Sequence, residues 1–240
     1  MRLRTSFFLF AVLSLALMAP GCMPRASYRA HPSLDASLKT VKTVGLIAPD
    51  IKIYELSAGD VEELRDDWCK QGRDNVTKAV IDEFRSKKIA IKTKALDKDS
   101  AQDLPDIQAL YRAVSYSILS YTYGDFKFPE KYKNFDYSIG PIRKITDAYG
   151  VDALIFVYGY DEISSGGRKA LRALSMVTGV ITGYQRRAGL TAMSMALVDK
   201  SGSILWYDID AAEGGYDLRQ PDSSAKFVRA LVADFPEVSR

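Results

Sequence analysis

The sequence predicts a single α/β domain whose mixed β-sheet is packed with helices. Apolar runs of strand length alternate along the chain with stretches of helical period. Late in the chain, two apolar runs flank a glycine-containing turn, the pattern of an antiparallel hairpin. A length of 240 residues, 47% of them apolar, suffices for one sizeable core and not for several domains. The same composition excludes collagen-like, low-complexity and disulfide-scaffold chains, and a net charge of +3 is too small for a chain disordered throughout. Two cysteines exclude a four-thiolate zinc site, and a single histidine, His31, excludes most histidine-based metal and triad chemistry.

The first 21 residues stand outside this domain. Arg2 and Arg4 form a basic start, and Phe7 to Ala19 is an apolar run of 13 residues interrupted only by Ser14. A membrane-spanning helix takes roughly 20 apolar residues, so the run matches the core of an export signal instead. Small residues then lead through Ala19-Pro20-Gly21 to Cys22. The segment resembles a bacterial lipoprotein signal, in which the cysteine becomes the acylated first residue of the mature chain. An ordinary secretory signal followed by a chance cysteine is the plainer alternative. The lipoprotein resemblance implies palmitate on Cys22, and Met23 after it implies the outer membrane, facing the periplasm. Several acyl chains would anchor stably, each buried methylene adding about 0.8 kcal/mol.

Loss of residues 1–21 removes two arginines and no acid, which lowers the net charge from +3 to +1. A near-neutral exported chain has no electrostatic footprint for nucleic acid. With Cys22 acylated, Cys69 is left in the acidic run Asp66-Asp67-Trp68-Cys69, which disfavours a thiolate, so a packed thiol is expected.

Residues 22–40 mix Pro24, Pro32, Ser and Arg without period and are expected to tether a domain spanning 41–240. His31 falls in this tether and receives no role. Val44 to Pro49 reads as a buried strand stopped by Pro49, with Ile51 to Leu56 continuing it past a bend. Ser57-Ala58-Gly59-Asp60 fits a capping box. Leu64, Trp68, Val76, Val80 and Phe84 then recur at multiples of four, with Gly72 in the gap, so a helix is expected over 58–86. Ile89 to Thr93 alternates as a half-buried strand does.

Pro105 sits at the start of a helix running to Tyr121, and Pro141 at the start of a shorter one that Gly150 ends. Between them Phe126, Phe128, Tyr132, Phe135 and Tyr137 interleave with Lys127, Lys131 and Lys133. Ala153 to Tyr160 is the strongest strand and reads as central. Thr191 to Val198 and Ser203 to Ile209 form the hairpin around Asp199-Lys200-Ser201-Gly202, and Lys226 to Phe235 closes the chain as a helix.

The step Tyr149-Gly150-Val151-Asp152-Ala153 into a strand, and the hairpin Met195 to Trp206, resemble two motifs of a group of periplasmic lipoprotein domains. The group includes the curli-secretion channel lipoprotein (CsgG-like), the TolB amino-terminal domain and the lipoprotein activators of penicillin-binding proteins. The resemblance implies a non-enzymatic, lipid-anchored envelope protein that acts through protein–protein contacts in outer-membrane assembly, secretion or cell-wall regulation, with no cofactor and possible homo-oligomers. An oligomeric outer-membrane secretion channel of the curli type is the alternative.

Four segments invite sharper readings. The aromatic–lysine weave at 126–137 has the composition of a single-strand nucleic-acid surface, but export favours contact with protein or glycan, or a loop pinned by its own rings. Its five rings Phe126, Phe128, Tyr132, Phe135 and Tyr137 are the candidate partner contacts. The glycine-rich segment 164–189 alternates only raggedly, so a packed helix and loop or a subunit contact is expected, with a membrane-crossing hairpin of the curli-channel kind as the alternative. Ser165 to Lys169 lacks the spacing of a phosphate loop and reads as a turn with solvated charges. The pairs Asp161/Glu162 and Asp208/Asp210 follow strands, where neighbouring acids are usually turn residues rather than an acid and a base.

Overall fold

A computed structural model describes residues 28–93, 102–182 and 188–236. The chain folds into a mixed α/β domain, an eight-stranded sheet with helices on both faces. The strands are β1 (Arg29–Ala30), β2 (Val44–Leu46), β3 (Asp50–Leu56), β4 (Glu62–Leu64), β5 (Ile91–Lys92), β6 (Ala153–Ser164), β7 (Leu190–Asp199) and β8 (Ile204–Glu213). The helices are α1 (Leu34–Leu38), α2 (Asp66–Ser86), α3 (Leu104–Ile118), α4 (Pro129–Lys133), α5 (Arg143–Tyr149), α6 (Gly166–Thr182) and α7 (Pro221–Leu231). A π-helical turn, Leu119–Tyr123, extends α3.

β6 is central, and its residues Ala153 to Val157 are buried on both faces. One edge pairs antiparallel with β7, which continues through β8 to β1. The other edge is shared by two strands parallel to it. β2 pairs with Ala153–Ile155 and β3 with Tyr158–Ser164, so both halves of the interrupted run around Pro49 lie along one long partner. Proline has no amide to give the ladder, which accounts for the break. The crossover through α2 returns the chain to β5, parallel to β2.

Strand alternation divides the core into two layers. Ile155, Val157, Met195 and Leu197 face α2 and α7, with Val76, Val80, Phe84 and Phe227 closing that side. Leu154, Phe156, Ala196 and Val198 face α5 and the loop before it, where Ile142, Ile145 and Tyr149 pack. α5 ends at Gly150 in the left-handed conformation (φ 64°), and Asp152 then accepts hydrogen bonds from the Lys42 and Thr43 amides, fixing β2 beside β6.

Several boundaries differ from expectation: the closing helix α7 runs Pro221–Leu231 rather than 226–235, and β6 continues past Tyr160 to Ser164 because β3 pairs along it. Helix α2 begins at Asp66, because residues 57–64 turn back as a hairpin: Ser57 N–H donates to Val61 O (2.9 Å) and the Ser57 hydroxyl accepts from the Val61 amide (3.0 Å). The hydroxyl that resembles a helix cap therefore serves a β-turn, and Leu64 is exposed on β4. Gly72 stays on the buried stripe because α2 lies directly on β3. A Cβ there would come within 2.6 Å of Ile53 Cδ1. The described part of the tether expected over 22–40 is folded instead. Arg29 and Ala30 pair with Tyr207 and Trp206, and Leu34 is buried, so residues from 28 onward belong to the folded body. Cys69 is a packed thiol, its Sγ 3.2 Å from the Ile53 amide.

Candidate functional site

The five candidate contact rings divide into two groups. Phe126 (82% exposed), Phe128 (57%) and Tyr132 (43%) are open to solvent. Phe135 (3%) and Tyr137 (8%) are not, which removes both as contact residues. Burial follows from the path of the chain. Ile204 N–H donates to Tyr137 O (2.9 Å) and Ser138 bridges Ser203, so residues 135–139 run beside β8 as a short extra ladder. Phe135 thereby packs on Tyr137 and Tyr207, with ring centroids 5.2 and 6.2 Å away, and the Tyr137 hydroxyl lies 3.2 Å from Thr122 Oγ1.

The exposed half of the loop is held in place from behind. The Phe128 amide donates to Tyr121 O (3.0 Å), and the Tyr121 and Phe128 rings meet edge to face at 5.1 Å. The Arg29 guanidinium lies 4.1 Å from the centroid of Tyr132, and Lys127 Nζ lies 5.1 Å from it. These cations hold the Tyr132 phenol below the ordinary tyrosine range. Cys22, the expected acylation site, lies outside the described residues.

Beside this loop, α3 and the sheet enclose an open apolar cavity of about 570 Å³. Tyr158, Ser194 and Ile209 form its floor, and Arg112, Tyr116 and Leu119 its wall. Arg112 is fixed by an ion pair with Asp50 (2.6 Å). Behind Ser194, Tyr111 is fully buried with its hydroxyl 3.2 Å from Ser194 Oγ, and burial pushes its pKa up to about 12. Tyr116 (73% exposed) and Leu110 continue the apolar surface across α3. Nothing in the linear sequence groups these residues, because they come from a helix and three strands. The only local signals are Tyr158 and Tyr160 at strand spacing and Tyr116 and Leu119 at helical spacing.

The paired carboxylates are separated by the strand. Asp161 accepts from Thr191 Oγ1 (2.7 Å) and the Leu218 amide (2.8 Å), whereas Glu162 accepts from the Tyr160 hydroxyl (2.7 Å) and the Leu190 amide (3.0 Å). Successive strand residues point to opposite faces, so the two acids share no site. Asp208 is buried and Asp210 is not, and each caps the amide of its following residue.

Ser165 starts α6, accepting from the Arg168 amide (3.2 Å). Arg168 is not solvated, in contrast to the expectation for this turn. It is buried, bonded to the Asp60 carboxylate and 3.4 Å from Ser57 O, and so fastens α6 to the β3–β4 hairpin. Gly166–Thr182 is one helix with Leu171 and Leu174 exposed. Among the described residues, no helix is long and apolar enough to cross a membrane, and no group of three His, Cys, Asp or Glu is placed to hold a metal ion.

The chain matches no protein-family model and no curated protein. Among solved structures, the PelC dodecamer from Paraburkholderia phytofirmans aligns over 88% of this chain and 94% of that one, at 9% identity and a TM-score of 0.34. A likeness of that size does not bear on function.

Proposed function

We propose that the chain is a lipid-anchored outer-membrane protein facing the periplasm, which acts without catalysis by docking on other envelope proteins in assembly, secretion or cell-wall regulation. The observation that carries this reading is the exposed apolar face of α3 and its π-helical extension, where Tyr116 and Leu119 rim an open cavity of about 570 Å³. A cavity rimmed by exposed aromatic and aliphatic side chains suits a protruding apolar anchor on a partner, the arrangement at the centre of protein–protein hot spots. The export-signal pattern of residues 1–21 ahead of Cys22 and the motifs at 149–153 and 195–206 that resemble CsgG-like and TolB-like domains support the same reading from the sequence.

The test has two arms. Cys22→Ala is expected to abolish palmitate incorporation and release a soluble periplasmic form; continued labelling contradicts the anchor. A photo-crosslinking residue at Tyr116 is expected to trap a discrete envelope protein in intact cells, while the same probe at the exposed Lys78 of α2 traps none. Adducts only between copies of this chain, with ring-sized particles in detergent, would replace the docking module with the oligomeric channel.

A further inference from the structure

We infer that the loop carrying Phe126, Phe128 and Tyr132 is a membrane-insertion surface, a second contact with the same bilayer that holds the acyl chains. This rests on acylation of Cys22. Tyr28, whose ring stacks on Trp206 of the folded body, is six residues after Cys22. Six residues span at most about 20 Å even when fully extended. Tyr28 therefore lies within that distance of the headgroups, which limits which faces of the domain reach the lipid.

The face it selects is the aromatic loop. Arg29, the next residue, lies on the Tyr132 ring at 4.1 Å, so the entry of the chain and the loop are in contact. Phe126 and Phe128 project from that spot and are the most exposed phenylalanines among the described residues. The Phe128 backbone and ring are fixed by the hydrogen bond and edge-to-face contact with Tyr121, which lowers the ordering cost of inserting that ring. Tyr121 and Tyr132, each with an apolar ring and a polar hydroxyl, suit the boundary between acyl chains and headgroups.

Charge does not explain the loop. Lys127, Lys131 and Lys133 are balanced by Asp125, Glu130 and Asp136, and Lys131 is paired with Asp136 at 2.6 Å. A loop this near to neutrality gains little from anionic lipid, so insertion of the rings must supply the contact. Acyl chains and a second membrane contact together would hold the domain in one orientation, with the α3 face beside the loop turned sideways to partners.

The test uses the acylated full chain carrying Phe126→Trp, reconstituted into vesicles of phosphatidylethanolamine and phosphatidylglycerol with or without brominated acyl chains. The new tryptophan is expected to emit further to the blue than the wild-type difference spectrum allows in water, and to lose at least half its intensity to the brominated lipid. The native Trp206 is fully buried and Trp68 is on the opposite layer, so wild-type emission should change little. Vesicles of phosphatidylcholine alone should give the same quenching. Co-flotation without quenching overturns the insertion surface and leaves the anchor intact. Failure to co-float overturns both. A polypeptide adduct from a photo-crosslinker at position 126, again without quenching, would assign the loop to protein contact instead.

Discussion

A phenylalanine ring contributes to stability only insofar as folding removes it from water, and the 126–137 loop holds both extremes. Phe135 sits between Tyr137 and Tyr207 in the second core layer, whereas Phe126 touches mainly solvent. Phe135→Ala should therefore destabilise the domain by about 3–5 kcal/mol, the range for a large ring lost from a core. Phe126→Ala should stay within about 0.5 kcal/mol of wild type. Urea unfolding of both variants checks the pair; equal midpoints would contradict the division of the loop. In the sequence the two residues are indistinguishable, each a ring near lysines. What separates them is the run of residues 135–139 along β8, a contact formed between segments far apart in the chain. Trp68 shows the same dependence on surroundings. It lies on the predicted stripe, yet it is half-buried between the guanidinium groups of Arg65 and Arg219, 4.5 and 4.1 Å from their carbons.

At the scale of elements, the β7–β8 hairpin depends on its turn. Gly202 has φ 86°, and a Cβ built on it would lie 1.7 Å from the carbonyl oxygen of Gly140. A side chain there meets both backbone strain, about 1–2 kcal/mol, and a collision with main chain that side-chain rotation cannot relieve. With overpacking adding about 1–3 kcal/mol, Gly202→Ala should lower stability by roughly 2–5 kcal/mol. A urea midpoint equal to wild type would show that the 138–142 segment is free to move away. Elements with a strong period or a clear start were readable in advance: the central strand, the hairpin, and α3, led by Pro105; the closing helix was expected over 226–235 but runs Pro221–Leu231. The start of α2 was not readable, because a serine two to four residues ahead of acids can cap a helix or close a β-turn. Pairing of Tyr54–Leu56 with Glu62–Leu64 settles the choice. For α6 a packed helix is one of the readings the glycine-rich segment leaves open, but Ser165 to Lys169 read as a turn with solvated charges. Burial of Arg168 against Asp60 of the β3–β4 hairpin depends on a contact 108 residues away in the chain.

The molecule as a whole is joined across three segments by Asp161, which links β6 to Thr191 on β7 and to the Leu218 amide ahead of α7. Burial, opposed by these two hydrogen bonds, raises its pKa from the ordinary 3.8 to about 6. Between those values the folded state holds a proton that the unfolded chain has released, so stability falls as pH rises from 3.8 through about 6. The fall amounts to about 3 kcal/mol, two pK units at 1.36 kcal/mol each. Chemical unfolding at pH 4 and pH 7 should show this step in the wild type and lack it in Asp161→Asn. A wild-type profile that rises steadily across the interval would contradict the assignment.

By itself the sequence determined the class of fold, the central strand and the hairpin that follows it, because periodicity and local turn chemistry act over a few residues. Only the tertiary structure decided which aromatic rings are surface and which are core, that residues 28–40 belong to the body, and that α3 stands over an open cavity. Each of these depends on segments 60 or more positions apart meeting across the sheet, such as Ser138 with Ser203 and Ala30 with Trp206. No local pattern encodes such a meeting, since the free energy that selects it is gained only when the distant partner is already in place.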